Sequence, residues 1–184
     1  MTCFNEGLSV DVSIFILGTE KAKNFRKDGF KDILSHGGST MANVHDVACY
    51  ILKKHKPLTA MKLQKLVYYC QAWALVWDEK PLFRERIEAW ANGPVVPELY
   101  NEHKGVFQVW SNGKGKSKNL TKDEKETIDA VLAVYGDKSS QWLSDLTHQE
   151  APWKEARVGL SPGTRSNREI KRAAMAEYYE SLIS

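Results

Sequence analysis

Apolar residues recur at helical spacing from Met41 onward, and this pattern predicts a mainly α-helical domain. The first predicted helix begins after Asn43, whose side chain can cap it, and ends before Pro57. Its apolar positions have the spacing of a single buried helix face: Val44, Val47, Ala48, Ile51 and Leu52. We therefore expect one side of this helix to lie against the core.

The second predicted helix begins after Thr59 and is the most apolar segment of the chain. Between Leu66 and Asp78 the only strongly polar residue is Gln71, so other helices are expected to surround this one. Cys70 lies within that run, where a thiol behaves as a small apolar side chain. This helix is thus predicted to form the centre of the core.

A short strand and a turn are predicted between the second and third helices. Residues 84–90 alternate between polar and apolar side chains, which favours a strand. Gly93 can adopt backbone angles closed to other residues, and Pro94 disfavours a helical conformation before it, so the pair predicts a turn. Pro97 fits the first turn of a short third helix.

Three further helices are predicted after a basic loop at residues 111–119, which we expect to be flexible. Thr121 opens the first of them with a capping box and Gly136 ends it, and the next begins at Ser140. The last is predicted over residues 167–182, with an inward face of Ile170, Ala173, Ala174, Tyr178 and Leu182. The predicted fold is a compact bundle of five to six helices with a small β-hairpin-like element.

The first forty residues differ from the rest of the chain. No helical period in them lasts for more than two turns, and their basic and acidic residues balance. We predict that residues 1–40 are a poorly structured extension or precede the working start at Met41. The folded domain is then expected to comprise residues 41–184.

The balance of charges argues against a dedicated nucleic-acid-binding protein. The 26 basic and 23 acidic residues are interspersed along the chain and give a formal net charge of +3. Lysines in the loop and on the second helix are the candidates for phosphate contacts: Lys62, Lys65, Lys114, Lys116 and Lys118. Because Trp110 is the only aromatic platform among them, nucleic acid is not the expected partner.

The cysteines and the hydropathy pattern indicate the compartment. The chain has three cysteines, an odd number with no CxxC pair, as expected in a reducing cytosol. No apolar run approaches the roughly 20 residues needed to cross a bilayer. We expect a cytoplasmic protein with no membrane partner.

No constellation of reactive residues is apparent in the sequence. It lacks a GxSxG nucleophile motif and a phosphate-binding glycine motif. His45 and Cys49 are one helical turn apart, but no second ligand pair lies near them in the sequence. Glu85 and Glu88 would point to opposite faces of a strand and are expected to be solvated. We therefore predict no catalytic residue, no metal and no cofactor, and a protein that is not an enzyme.

His148 is the ionisable residue with the most informative surroundings. It follows a predicted helix and precedes Pro152 and Trp153. We expect its ring to hold the turn by bonding a backbone carbonyl while Trp153 packs beneath it. A catalytic or ligand-binding role for His148 is the alternative.

Three sequence strings, together with the capped helix that ends at Tyr135-Gly136, resemble the Panacea domain of phage-associated and toxin–antitoxin proteins. The strings are MKLQKLVYYCQAW at 61–73, PLFRERIEAWANGPVVPELY at 81–100 and LTHQEAPWKEAR at 146–157. They occur in the same order as in that domain, and the resemblance covers nearly all of the chain after Met41. It implies a mostly helical fold with a small β element, and an antitoxin that binds a cognate toxin encoded by a neighbouring gene.

The resemblance also implies which residues to examine and which alternatives to keep. One relative of this kind is an adaptor that delivers its toxin to an ATP-dependent protease, and a DNA-binding regulator is the less favoured alternative. The family signature, with its candidate partner contacts, falls on Gln64, Tyr68, Trp90, Gly93, Pro94, Pro97, Tyr100, His148 and Trp153. Four aromatic residues are further candidates for anchors in a toxin interface: Tyr69, Trp77, Trp110 and Tyr179.

Overall fold

The computed structural model describes residues 41–183, so the extension predicted at residues 1–40 lies outside the described residues. The described part of the chain contains seven α-helices, at Val44–Lys54 (α1), Ala60–Trp77 (α2), Pro97–His103 (α3), Lys122–Tyr135 (α4), Ser140–Gln149 (α5), Ala151–Ala156 (α6) and Arg172–Ser181 (α7). Its strands are Leu58–Thr59 (β1), Glu88–Trp90 (β2), Gly93–Val95 (β3) and Gln108–Val109 (β4). The predicted mainly α-helical fold with a hairpin is confirmed.

The polar residues predicted to start the helices do so. Asn43 accepts a hydrogen bond from the backbone of Asp46 at 3.0 Å and completes a capping box at the start of α1. Thr59 accepts one from the backbone of Lys62 at 3.1 Å at the start of α2. Thr121 forms the predicted capping box at the start of α4. Each cap satisfies backbone N–H groups that have no partner inside the helix.

Helix α2 lies at the centre of the core, as predicted. Every residue from Leu63 to Ala74 is buried, and α4 and α7 both pack against this helix. Cys70 is fully buried, and burial raises the pKa of its thiol, so the prediction of a core thiol is confirmed. No helix among residues 41–183 is long and apolar enough to cross a membrane.

Two small antiparallel sheets complete the described fold. Strand β2 pairs with β3, with Ala89 opposite Pro94 and Trp90 opposite Gly93, which confirms the predicted hairpin. Strand β1 pairs with β4, with Leu58 opposite Val109. This second sheet was not predicted, because two-residue strands leave no alternation in the sequence.

The last helix was predicted to begin too early. Residues 168–170 instead lie along the hairpin. The backbone carbonyl of Arg168 accepts a hydrogen bond from the N–H of Ala89, and the backbone N–H of Ile170 donates one to the carbonyl of Ile87, both at 2.8 Å. Helix α7 therefore begins only at Arg172. Its fully buried side chains are Met175 and Tyr179, which were not predicted to face inward. Of the predicted inward face, Ile170 is buried ahead of the helix, Tyr178 and Leu182 are partly buried against the core, and Ala173 is exposed.

Two other sequence predictions are corrected by the structure. The loop at 111–119 is held against α1, because the backbone N–H of Lys116 donates to Asp46 at 2.7 Å and the Asn112 amide donates to the carbonyl of His45 at 3.2 Å. Residues 151–156, which carry no helical pattern in the sequence, form α6 with Pro152 in its first turn. Pro152 fits there because the first helical residues need no backbone donor.

Candidate functional site

Side chains from α2, α5 and α6, together with Arg157 directly after α6, hold the β2–β3 hairpin by donating hydrogen bonds to its backbone carbonyls and to that of the next residue, Val96. The donors and the carbonyls are Arg157 to Ala89 (2.8 Å), Trp153 to Trp90 (2.9 Å), His148 to Ala91, Ser144 to Asn92 (3.0 Å), Lys65 to Pro94 (3.0 Å) and Gln64 to Val96 (3.3 Å). We call these six donors the carbonyl clasp. An isolated two-stranded hairpin is at best marginally stable in water, so the clasp fixes the position of this one.

Gln64 makes the only two-way contact of the clasp. Its amide nitrogen donates to the carbonyl of Val96, and its amide oxygen accepts from the Val96 N–H at 2.8 Å. A glutamine amide presents the same donor and acceptor as a peptide group. The Gln64 side chain thus pairs with both backbone groups of Val96, as a residue of a neighbouring strand would.

Gly93 allows Lys65 to reach the hairpin. Its φ is +101°, and a Cβ placed there would lie 2.7 Å from Lys65 Nζ and 2.8 Å from Thr147 Oγ1. Lys65 is only 1% exposed, and burial lowers the pKa of its amine to about 7. The amine therefore lies beneath the turn, and its pKa is close to physiological pH.

His148 makes the contacts predicted for it. Its ring stacks on Trp153 with centroids 4.3 Å apart and bonds the carbonyl of Ala91, although that carbonyl belongs to the hairpin turn. Burial, followed by the charges of Lys65 and Arg157, lowers the pKa of His148 and favours the neutral ring. Its Nε2 is buried without a hydrogen-bond partner in the described part of the chain.

A buried carboxyl group lies beside the clasp. Glu150 is 1% exposed and accepts hydrogen bonds from the hydroxyls of Tyr179 at 2.8 Å, Tyr69 at 3.2 Å and Tyr68 at 3.5 Å. Burial raises the pKa of Glu150 to about 8, although the three hydroxyls lower it in part. Tyr69 also stacks on Tyr135 with centroids 4.1 Å apart. This cluster joins α2 to α7 inside the core, away from any substrate in solution.

Comparison with known proteins decides the family. The family described as "Antitoxin SocA-like, Panacea domain" matches residues 63–154, which is half of the chain and contains five of the six clasp donors. The chain belongs to this family. The predicted resemblance to the Panacea domain is confirmed.

A curated relative of the Panacea domain supports the same assignment. Antitoxin SocA of Caulobacter vibrioides (strain NA1000 / CB15N) is 27% identical over 121 residues, which cover 59% of this chain. The match spans 63% of the length of that relative. No solved structure matches the chain at a significant level.

The structure brings most of the nine residues predicted as the Panacea signature together at the hairpin. Gln64, His148 and Trp153 donate to it, and Trp90, Gly93 and Pro94 belong to it. The remaining three lie apart from the clasp: Tyr68 on Glu150, Pro97 at the start of α3, and Tyr100 edge-on against Trp90 with centroids 4.8 Å apart. Tyr100 is the most exposed of the nine, at 37%, so the residues of the predicted signature chiefly build the hairpin and its support.

Sequence reasoning missed four polar residues that the hairpin or the core requires: Lys65, Ser144, Glu150 and Arg157. Lys65 carried a signal, because a lysine inside a buried helix needs a partner. It had been a candidate for a phosphate contact, which its burial overturns. Glu88, expected to be solvated, is buried and accepts from the indole of Trp90 at 2.7 Å.

Three of the four predicted interface anchors are also corrected. Tyr69, Trp77 and Tyr179 are buried in the core, because α2 and α7 are covered on more sides than an amphipathic pattern indicates. Trp110 is exposed. Among residues 41–183, no group of three or more His, Cys, Asp or Glu side chains could hold a metal ion.

Proposed function

We propose that this Panacea domain is the antitoxin of a toxin–antitoxin pair and neutralises its protein toxin by binding it directly. Its membership of an antitoxin family and its similarity to a protein named as an antitoxin support this role. An antitoxin family is consistent with action by binding rather than by turnover.

One structural observation carries the proposal: two polar groups with strongly shifted pKa values lie in the interior and stabilise the fold. Lys65 and Glu150 have shifted pKa values of the kind often found at active sites. Each is only 1% exposed and bonded within the protein. A reacting substrate could reach neither of them, which supports action through the outer surface.

Co-expression with the product of the neighbouring gene tests the proposal. We expect that product to arrest growth when expressed alone, and this chain to restore growth and co-purify with it at a fixed ratio. Persistent toxicity, together with separate elution of the two proteins, would contradict the proposal.

The half-life of the toxin in the same cells separates blocking from delivery to an ATP-dependent protease. Direct neutralisation predicts that the toxin persists, inactive, in the complex. A toxin that disappears faster whenever this chain is present, and is stabilised by removal of the protease, would replace blocking with the adaptor mechanism.

A further inference from the structure

Three exposed apolar side chains lie close together in the sequence, between α3 and α4. Val106 is 46% exposed, Phe107 is 78% exposed and Trp110 is 62% exposed. Single exposed apolar residues are common on soluble proteins, but a cluster that includes two aromatic rings marks an interaction surface. Tyr100 and Met61, also partly exposed, lie on the flanking helices α3 and α2.

The backbone that carries these side chains is fixed on both sides. The backbone carbonyl of Phe107 accepts a hydrogen bond from the N–H of Ala60 at 3.1 Å, and the backbone N–H of Val106 donates one to the carbonyl of His103 at 3.0 Å. Beyond Trp110, the backbone N–H of Lys116 is bonded to Asp46 in α1. The aromatic rings are therefore presented to solvent by a held chain, which lowers the entropy lost when a partner covers them.

The same segment is strongly basic. Between Glu102 and Asp123 the chain has five lysines and no acidic residue. Lys114 is paired with Glu102 at 2.7 Å, and Lys104, Lys116 and Lys118 are exposed in the same segment as the aromatic residues. In the chain as a whole the two signs of charge nearly balance, so this concentration is local.

We propose that this surface docks an acidic surface of the protein toxin that has an apolar pocket at its centre. We define the aromatic–lysine face as Lys104, Val106, Phe107, Trp110, Lys116 and Lys118. Aromatic side chains anchor the centres of protein interfaces, and charged rims steer partners of the opposite sign. The inference rests on the proposed function, because it takes the toxin to be the partner.

The composition of the face favours this occupant over two others. A second copy of this chain would bring the same lysines into opposition, and like charges across an interface are costly. A nucleic acid would use the lysines and stack on the two rings, but Val106 offers no π-face to a base. An acidic protein surface with an apolar centre uses both the charges and the apolar side chains.

The apolar part of the face is tested with Phe107→Ser and Trp110→Ser, with Val158→Ser as the matched control. Val158 is 71% exposed in the segment between α6 and α7, outside the face. We expect each face variant to raise the Kd for the neighbouring-gene product by about 30-fold or more, since buried aromatic anchors have effects of this size. The control should change the Kd less than about threefold, with all three melting temperatures near that of the wild type.

The charged part of the face is tested with Lys116→Glu combined with Lys118→Glu, against Arg165→Glu as control. Arg165 is exposed in the same segment as Val158. The double reversal should lower the association rate about tenfold or more at low salt and flatten its dependence on salt, whereas the control should not.

The outcomes separate the location of the face from the proposed function. If the wild-type chain binds and neutralises the neighbouring-gene product but the face variants do so equally well, the toxin binds elsewhere and this inference is overturned alone. If the wild-type chain does not bind that product, both proposals fail. Tight binding of a 20-nucleotide single-stranded DNA, lost in the face variants, would assign the face to nucleic acid and also overturn the inference.

Discussion

Gly93 is the residue on which the geometry of the hairpin most depends. Its positive φ forms the turn, and its missing Cβ leaves room for the Lys65 amine and the Thr147 hydroxyl. A side chain at this position would need both an unfavourable backbone conformation and space that is already occupied. The conformational and the packing requirements therefore coincide at one residue.

Replacement of Gly93 by alanine should lower the free energy of unfolding by about 3 kcal/mol or more, from backbone strain and overpacking together. Gly163→Ala is the matched control, because Gly163 has a φ of +78° and a Cβ added there would meet no atom within 4 Å. The control should show only the backbone effect, about 1 kcal/mol. Equal losses in the two variants, measured by urea denaturation, would show that the close approach of Lys65 has no energetic effect.

The buried carboxyl of Glu150 predicts how stability depends on pH. Because its folded-state pKa of about 8 lies above the ordinary glutamate pKa of 4.5, the folded protein keeps a proton that the unfolded chain releases. The free energy of unfolding should therefore fall as pH rises from 4.5 towards 8, by up to about 1.4 kcal/mol per pH unit. Glu150→Gln should flatten this fall, and an unchanged slope in that variant would contradict the assignment.

Lys65 provides the opposite slope as an internal control. Its folded-state pKa of about 7 lies below the ordinary lysine pKa of 10.5, so between these values the unfolded chain binds a proton that the folded protein does not. Stability should rise with pH over that range in the wild type and in Glu150→Gln. Lys65→Met should remove the rise.

At the scale of elements, the helices were predictable where local signals define them. Asn43, Thr59 and Thr121 each cap a helix in the structure, and the apolar positions after them are buried. The start of α7 was not predictable, since residues 168–170 adopt an extended form to pair with a hairpin about eighty residues earlier. Such pairing leaves no periodic signal in a short segment.

The candidate site was predictable only in part. The strings around Gly93 and His148 indicated the hairpin and its support, and the structure brings them together. The donors Ser144 and Arg157 could not be assigned from sequence, because they bond backbone carbonyls, which any residue supplies. The exposed state of Phe107 and Trp110 likewise depends on how β4 pairs with β1.

The connection between α5 and the hairpin supplies a test of the role of His148. His148→Gln removes the stacking on Trp153 and alters the bond to Ala91. We expect the free energy of unfolding to fall by about 1–3 kcal/mol, with any loss of toxin neutralisation recovered at lower temperature. Loss of neutralisation with an unchanged melting temperature would instead assign His148 a direct part in function.

On the scale of the whole molecule, the described chain has an apolar core that contains a few buried polar groups, and a distinct basic, aromatic outer face. The interior groups bond carbonyls or tyrosine hydroxyls, so they determine where the elements lie. The outer face presents Phe107 and Trp110 on a backbone held by α1, α3 and β1. A protein of this design can recognise another protein while its own core remains unchanged.

Titration of the purified chain into the purified neighbouring-gene product, in buffer without protease or nucleotide, tests the central claim most directly. Isothermal calorimetry and an assay of the toxin's activity would be followed on the same samples. We predict saturable binding at a fixed ratio, with the activity falling in proportion to the fraction of toxin bound. Two results would contradict neutralisation by direct binding. One is full toxin activity in the presence of an excess of this chain. The other is toxin activity that keeps falling with time when this chain is present at only a small fraction of one equivalent.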